Sequence, residues 1–166
     1  LTALSDVAGA WPVMTVTRHL SLAADMAVSS AVRFLFRQAH RRGEWLSETP
    51  DGYIVLAMGK HGAFELNYSS DIDLVVFFDV SAGIVGDPLD AMEIYARMMR
   101  RLVRIMQERT ADGYVFRTDL RLRPDPMSTP LAVSTTGALS YYETVGQNWE
   151  RAAMIKARPI AGDMVA

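Results

Sequence analysis

Two short apolar runs joined by a glycine-bearing link constrain this chain more than any other feature. Tyr53, Ile54, Val55, Leu56, Ala57 and Met58 form the first run, bounded by Gly59, and Ile72 with Leu74, Val75, Val76, Phe77 and Phe78 forms the second. Both are bounded, short and rich in β-branched or aromatic residues, so each reads as a buried central strand. Residues 59–70 leave room for a turn and a two-turn helix, which brings the ends of the two strands close together. Because side chains alternate along a strand, Asp71 and Asp73 share one face while Ile72 and Leu74 point to the other. At about 3.3 Å rise per residue, the alpha carbons of the two acids stand about 6 to 7 Å apart.

The rest of the chain builds around that pair. Residues 114–123 alternate and stop at Pro124, which predicts a third strand pairing with the second and placing Asp119, Arg121 and Arg123 on one face. If the strand is adjacent, Asp119 completes an acidic triad. Leu22, Met26, Val32, Leu35 and Phe36 recur at helical spacing within residues 16–42, and Arg37, His40, Arg41 and Arg42 before Gly43 suit the end of that helix. The basic cluster there reads as a solvated helix terminus, with an anion or partner patch as the alternative. Asp87 and Pro88 read as N-cap and N1 of a helix reaching about residue 110, with Met92, Tyr95, Met98, Met99, Leu102, Val103 and Met106 on one core-facing side. Residues 131–133 suit a short strand, and a closing helix is expected from residue 135 to 153 or beyond. The expected fold class is α+β, a mixed sheet flanked by helices in one domain over residues 1–166. Residues 1–50 form its leading helical segment, 53–134 the catalytic sheet core and 135–166 the closing segment.

Composition narrows the chemistry. A length of 166 residues with 50% hydrophobic and 22% charged residues excludes disorder and fibrous repeats. The absence of cysteine excludes disulfides, a thiol nucleophile and thiolate metal sites, and suits a reducing cytoplasm, the expected location. A net charge of −2 argues against a nucleic-acid partner, and no apolar run is long enough for a membrane span. The start at Leu1 and the end at Ala166 lead to the expectation of a fragment of a longer chain.

Three carboxylates converging on one face repel one another unless protons, arginines or metal ions neutralise them. Hard oxygen ligands suit Mg²⁺ or Mn²⁺, and a pair of such ions clamps the attacking and leaving oxygens of phosphoryl displacement. The alternative is that Asp71 and Asp73 merely flank the strand as exposed polar residues while Asp119 pairs with Arg121 or Arg117. Gly59, Lys60, His61 and Gly62 favour the first reading. A glycine turn after a strand exposes backbone amides that cradle phosphates, and Lys60 adds a point charge. Ser69 and Ser70 offer hydroxyls to a phosphate or caps to a turn. This order of strand, glycine turn, short helix and Asp-Ile-Asp-Leu resembles the nucleotidyltransferase superfamily, with its DNA polymerase beta-like fold.

Three separated motifs make the resemblance closer. AMGKHGAFELNYSSDIDLVVFF, RTDLRLRP and YYETVGQNWERAAMIKARPIAGD, in order from about residue 53 to 163, resemble the bacterial glutamine synthetase adenylyltransferase family, also called glutamate-ammonia-ligase adenylyltransferase. The resemblance implies a bifunctional enzyme with two nucleotidyltransferase domains. The amino-terminal one removes AMP from a tyrosine of glutamine synthetase by phosphorolysis, yielding ADP, and the other attaches AMP from ATP. ELNYSSDIDL and WERAAMIKAR are similar to the amino-terminal half. The resemblance makes Asp71, Asp73 and Asp119 catalytic metal ligands for Mg²⁺ or Mn²⁺. Gly59, Lys60, Ser69, Ser70, Arg121 and Arg123 become the candidate nucleotide and phosphate contacts. Arg151, Lys156 and Arg158 are further candidates on or beyond the last helix, and Trp149 is expected in the core. His61, Ala63 and Phe64 depart from the leucine and glycines more usual in the family. Glutamine synthetase is the implied protein substrate, the PII regulatory protein an implied partner, and ADP, ATP and phosphate the implied small molecules. Two other readings stay open, the adenylylating half of the same enzyme and a noncatalytic docking domain.

Overall fold

Apolar periodicity places a long helix first and a mixed sheet after it. The computed structural model describes residues 1–82 and 88–164. A short helix α1 (Thr2–Val7) precedes α2 (Val13–Arg41), and the sheet strands are β1 (Tyr53–Ala57), β2 (Ile72–Phe78), β3 (Thr118–Asp119), β4 (Val133–Ser134) and β5 (Arg158–Gly162). Helices α3 (Gly59–Gly62), α4 (Pro88–Gln107), α5 (Thr135–Thr144) and α6 (Asn148–Ala153) lie between them.

β1 pairs antiparallel with both β2 and β5, while β2 takes β3 and β4 as parallel neighbours at its two ends. The sheet is therefore mixed, and β2 lies inside it. Its alternate residues Ile72, Leu74, Val76 and Phe78 join Tyr53, Val55 and Ala57 in a core with α2 and α4. Tyr95 of α4 stacks on Phe78 with ring centroids 4.1 Å apart and meets Trp45 edge-on, while Phe36 of α2 packs against Trp45 and Tyr53. Each fully buried aromatic of this kind contributes about 2–3 kcal/mol.

Several expectations need correction. Leu22 and Met26 are exposed, because the buried side of α2 is instead lined by Val16, Ala24, Val28, Ala31, Val32, Leu35, Phe36 and Ala39, whose small members allow close approach. Met98, Met99 and Met106 are core, but Met92 is exposed. The N-cap expected at Asp87 falls outside the described residues, and α4 begins at Pro88. Of the third strand expected over residues 114–123, the ladder keeps only Thr118 and Asp119. The amides of Val115 and Phe116 bond the Met106 carbonyl at the end of α4, and the Arg121 amide bonds the Asp119 carboxylate, so the chain turns on either side.

The closing helix is also interrupted. α5 ends at Thr144, α6 starts at Asn148, and the chain then extends into β5, which the helical expectation missed. Pro159 was the available signal, since it disfavours helix for the residue before it and suits an edge strand because it has no amide to donate. β5 is that edge, with a register shift opposite Val55 and Leu56.

Candidate functional site

The glycine turn sits directly beside the second acid. Gly59 has φ +52°, and a Cβ there would stand 2.8 Å from Asp73 Oδ2, so the residue is glycine both for its left-handed backbone and for space. The Met58 amide donates to the Asp73 carbonyl at 2.9 Å, which ties the turn to β2. Gly62, at the other end of α3, is packed so closely that a Cβ would lie 1.8 Å from the Lys156 carbonyl oxygen.

β3 lies parallel to β2 in the register that sets Asp119 opposite Asp73 and Thr118 opposite Ile72. Asp71 precedes β2, so the three predicted acids meet where these strands begin. Burial raises the Asp73 pKa, and the charges of Asp119 and Asp71 raise it further. Asp119 is shifted the other way, lowered chiefly by its hydrogen bond from Arg121 against the opposing effect of burial. The Arg121 guanidinium grips the Asp119 carboxylate through Nε and Nη2, while Arg117 Nε donates to Asp71 Oδ1 at 2.5 Å. Of the two partners that the alternative reading offered Asp119, Arg121 is the one observed, and Arg117 serves Asp71.

Two arginines therefore hydrogen-bond two of the acids, while Arg121 and His61 reach Asp73 through their charges, which oppose the rise in its pKa without cancelling it. As the side chains lie, no group of three or more His, Asp or Glu residues among the described residues is arranged to hold a metal ion. The donor chemistry nonetheless fits a hard divalent cation. All the donors are carboxylate oxygens, and repulsion at Asp73 is what a cation would relieve.

The remaining predicted residues divide. Lys60 is exposed beside the glycine turn, with no salt bridge among the described residues. Ser69 and Ser70 both direct their hydroxyls to Asn67 Oδ1, at 3.1 and 2.9 Å, and the Ser69 carbonyl accepts from Arg117. They cap a turn organised by Asn67, a residue the sequence reading missed although Asn in a polar stretch is a turn former. Arg123 is not brought onto the acidic face with Arg121, because alternation ends at Asp119. Its guanidinium donates to the carbonyls of Leu120 and Pro126 and holds the following loop, and burial lowers its pKa. Trp149, expected in the core, is 56% exposed because α6 buries Glu150 instead. Glu150 accepts from the Tyr141 hydroxyl and the Gln147 amide. Arg151 bonds the Tyr142 carbonyl and Lys156 pairs with Glu65.

Sequence reasoning also missed a buried ionic cluster behind the turn. His61 is fully buried on α3, and its Nε2 lies 2.8 Å from Asp25 Oδ1 on α2. Arg158 of β5 donates to both Asp25 oxygens, at 2.7 and 3.1 Å, and to the carbonyls of His61 and Gly62. Burial would raise the Asp25 pKa, but the hydrogen bonds from His61 and Arg158 and their charges together hold it below its ordinary value. Arg158 also covers the Phe64 ring, 3.8 Å from its centroid. Phe64 has φ +60°, the left-handed conformation for which a glycine is the easier residue. The departures at His61 and Phe64 were the available signal. They replace backbone freedom with side-chain ties to the leading helix and the last strand.

Fold and site together define an α+β domain whose mixed sheet collects three acids beside a glycine turn. The chain belongs to the glutamate-ammonia ligase adenylyltransferase family, whose model matches residues 1–166. It is 60% identical to the bifunctional glutamine synthetase adenylyltransferase/adenylyl-removing enzyme of Agrobacterium fabrum (strain C58 / ATCC 33970), with 100% of this chain and 17% of the relative covered. The enzyme of the same name from Mesorhizobium japonicum is 59% identical, again over 100% of this chain and 17% of its own length. That from Rhodopseudomonas palustris (strain ATCC BAA-98 / CGA009) is 55% identical with the same coverage. The chain thus spans about one sixth of the length of these relatives.

Proposed function

We propose that this chain is a nucleotidyltransferase domain that removes AMP from an adenylylated tyrosine of glutamine synthetase, with inorganic phosphate as acceptor and ADP as product. The observation that carries the reading is the register that sets Asp119 opposite Asp73, with Asp71 two residues before it and Gly59 against the Asp73 carboxylate. The similarity of ELNYSSDIDL and WERAAMIKAR to the amino-terminal half of the family favours AMP removal over attachment.

In this reading a phosphate oxygen attacks the adenylyl phosphorus, the bond to the tyrosine oxygen breaks, and a proton returns to the phenolate. Asp71, Asp73 and Asp119 would hold Mg²⁺ or Mn²⁺, which supplies charge stabilisation to a leaving oxygen of unperturbed pKa about 10. The protein groups do the positioning. The backbone at Gly59 leaves room for Asp73 and exposes amides at the turn, while exposed Lys60 offers a point charge to phosphate oxygens. Arg121 is held by Asp119 yet 84% exposed, so its outer face is open to a phosphate group. Activity in the cytoplasm and control through PII belong to this proposal as features of the whole bifunctional enzyme.

The test places Asp71→Asn or Asp73→Asn in a polypeptide of the relatives' length and follows ADP release from AMP-labelled glutamine synthetase with phosphate. Release is expected to fall by at least about 10³-fold while circular dichroism stays unchanged. Wild-type release in both variants would overturn the reading. Loss of label incorporation from ATP, with release intact, would assign the domain to adenylylation, and Mg²⁺-independent binding of glutamine synthetase by both variants at full turnover would assign it to docking.

A further inference from the structure

The C-terminal half of α2 carries a feature that nucleotidyl transfer does not use. Arg33, Arg37 and Arg41 recur every four residues, all are exposed, and with Ser30, Phe34 and Gln38 they line a hollow of about 400 Å³. A second hollow of about 210 Å³ continues from Arg37 and Arg41 to His40 and Glu48. The α4 arginines facing this region are already engaged, Arg97 with Glu44 at 3.1 Å and Arg101 with Gln38. Arg33, Arg37 and Arg41 have no salt-bridge partner among the described residues.

Like charges four residues apart destabilise a helix by a few tenths of a kcal/mol per pair, and the helix dipole compensates only within the last turn. The last turn accounts for His40 and Arg41. It does not account for Arg37 and Arg33, which lie one and two turns earlier. Phe34, 56% exposed, adds an apolar surface to the same hollow.

The spacing decides which anion fits. Four residues of helix span about 6 Å, so the row runs about 12 Å along the axis as one inclined ridge, matching carboxylates at the same interval on a second helix. Single-stranded nucleic acid is bound on a succession of aromatic platforms, whereas this groove offers Phe34 alone, on a chain whose net charge is −2. We propose that this face of α2 docks an acidic amphipathic helix of a protein partner. Its carboxylates at positions i, i+4 and i+8 meet Arg33, Arg37 and Arg41, and an apolar side chain on the same helix face packs on Phe34.

The experiment uses the full chain and a labelled synthetic helical peptide with Glu at those three positions and Leu between them, read by fluorescence anisotropy at low and high salt. Binding is expected to weaken at least about 10-fold in R37E/R41E and to fall as salt screens the pairs. A peptide with Lys in place of Glu is expected to bind the reversed variant better than the parent. Because all the substituted positions are exposed, circular dichroism should not change. Equal affinity for the Glu peptide and its Gln counterpart would overturn the proposal. So would indifference to reversal, or tighter binding of a single-stranded oligonucleotide that is lost in the same variant.

Discussion

Asp73 Oδ2 occupies the space that a Cβ on residue 59 would need, at a separation of 2.8 Å. The turn and the acid therefore constrain each other. Gly59→Ala has to resolve that contact and also adopt φ +52°, which L side chains rarely do. It is expected to lower stability by about 1–2 kcal/mol and to reduce AMP release by more than the stability loss explains. Urea denaturation alongside the phosphorolysis assay checks this, and unchanged activity would mean that the turn does not position Asp73.

Asp73→Asn is expected to separate stability from activity. An acid whose folded pKa is raised destabilises the fold at every pH above that value, and the penalty is relieved as pH falls through it. The neutral amide removes the penalty from burial and from the charges of Asp119 and Asp71. Activity should therefore be lost while the melting temperature at neutral pH stays level or rises by up to about 2–4 °C, and the gain should shrink on acidification. A fall of several degrees at neutral pH would show that the carboxylate holds the strands together.

The cluster of Asp25, His61 and Arg158 gives the opposite sign. Asp25 has its pKa held below the ordinary 3.8, so its ionised form contributes stability that is complete above that value and lost as pH falls through the depressed one. Asp25→Asn removes the charge that the Arg158 guanidinium and the His61 ring hydrogen-bond, and is expected to cost about 2–3 kcal/mol at pH 7. It should also flatten the acid limb of the stability curve. Chemical denaturation from pH 7 to 2.5 measures both, and parallel curves for parent and variant would refute the assignment.

Arg123 is expected to matter for the loop after it and not for phosphate. It donates to the carbonyls of Leu120 and Pro126, while Thr129 Oγ1 closes the same loop on Asp125 at 2.8 Å. Arg123→Gln should raise the rate of proteolytic cutting within residues 124–130 several-fold. The Michaelis constant for phosphate should stay unchanged, and a large rise in it would return Arg123 to the site.

The strands around the acids were legible because the information is local. Alternation in Ile72–Phe78 places Asp73 opposite the core face, and glycine after Met58 announces a turn. The short third strand, the break after Thr144 and β5 were not legible in the same way. They depend on the Asp119 carboxylate capturing the Arg121 amide, on the fold ending α5, and on β1 offering an edge to residues around Pro159.

Residue order alone sufficed for the two central strands, the long helices and the placing of Asp71 and Asp73 at the head of β2, since strand parity and helical spacing act over a few residues. Tertiary structure decided the partners: Asp119 opposite Asp73, Arg117 on Asp71, and His61 with Arg158 on Asp25 across 36 and 133 residues of sequence. Side-chain charge and hydrogen bonding carry no sequence period, so only the packing of distant elements selects which groups meet.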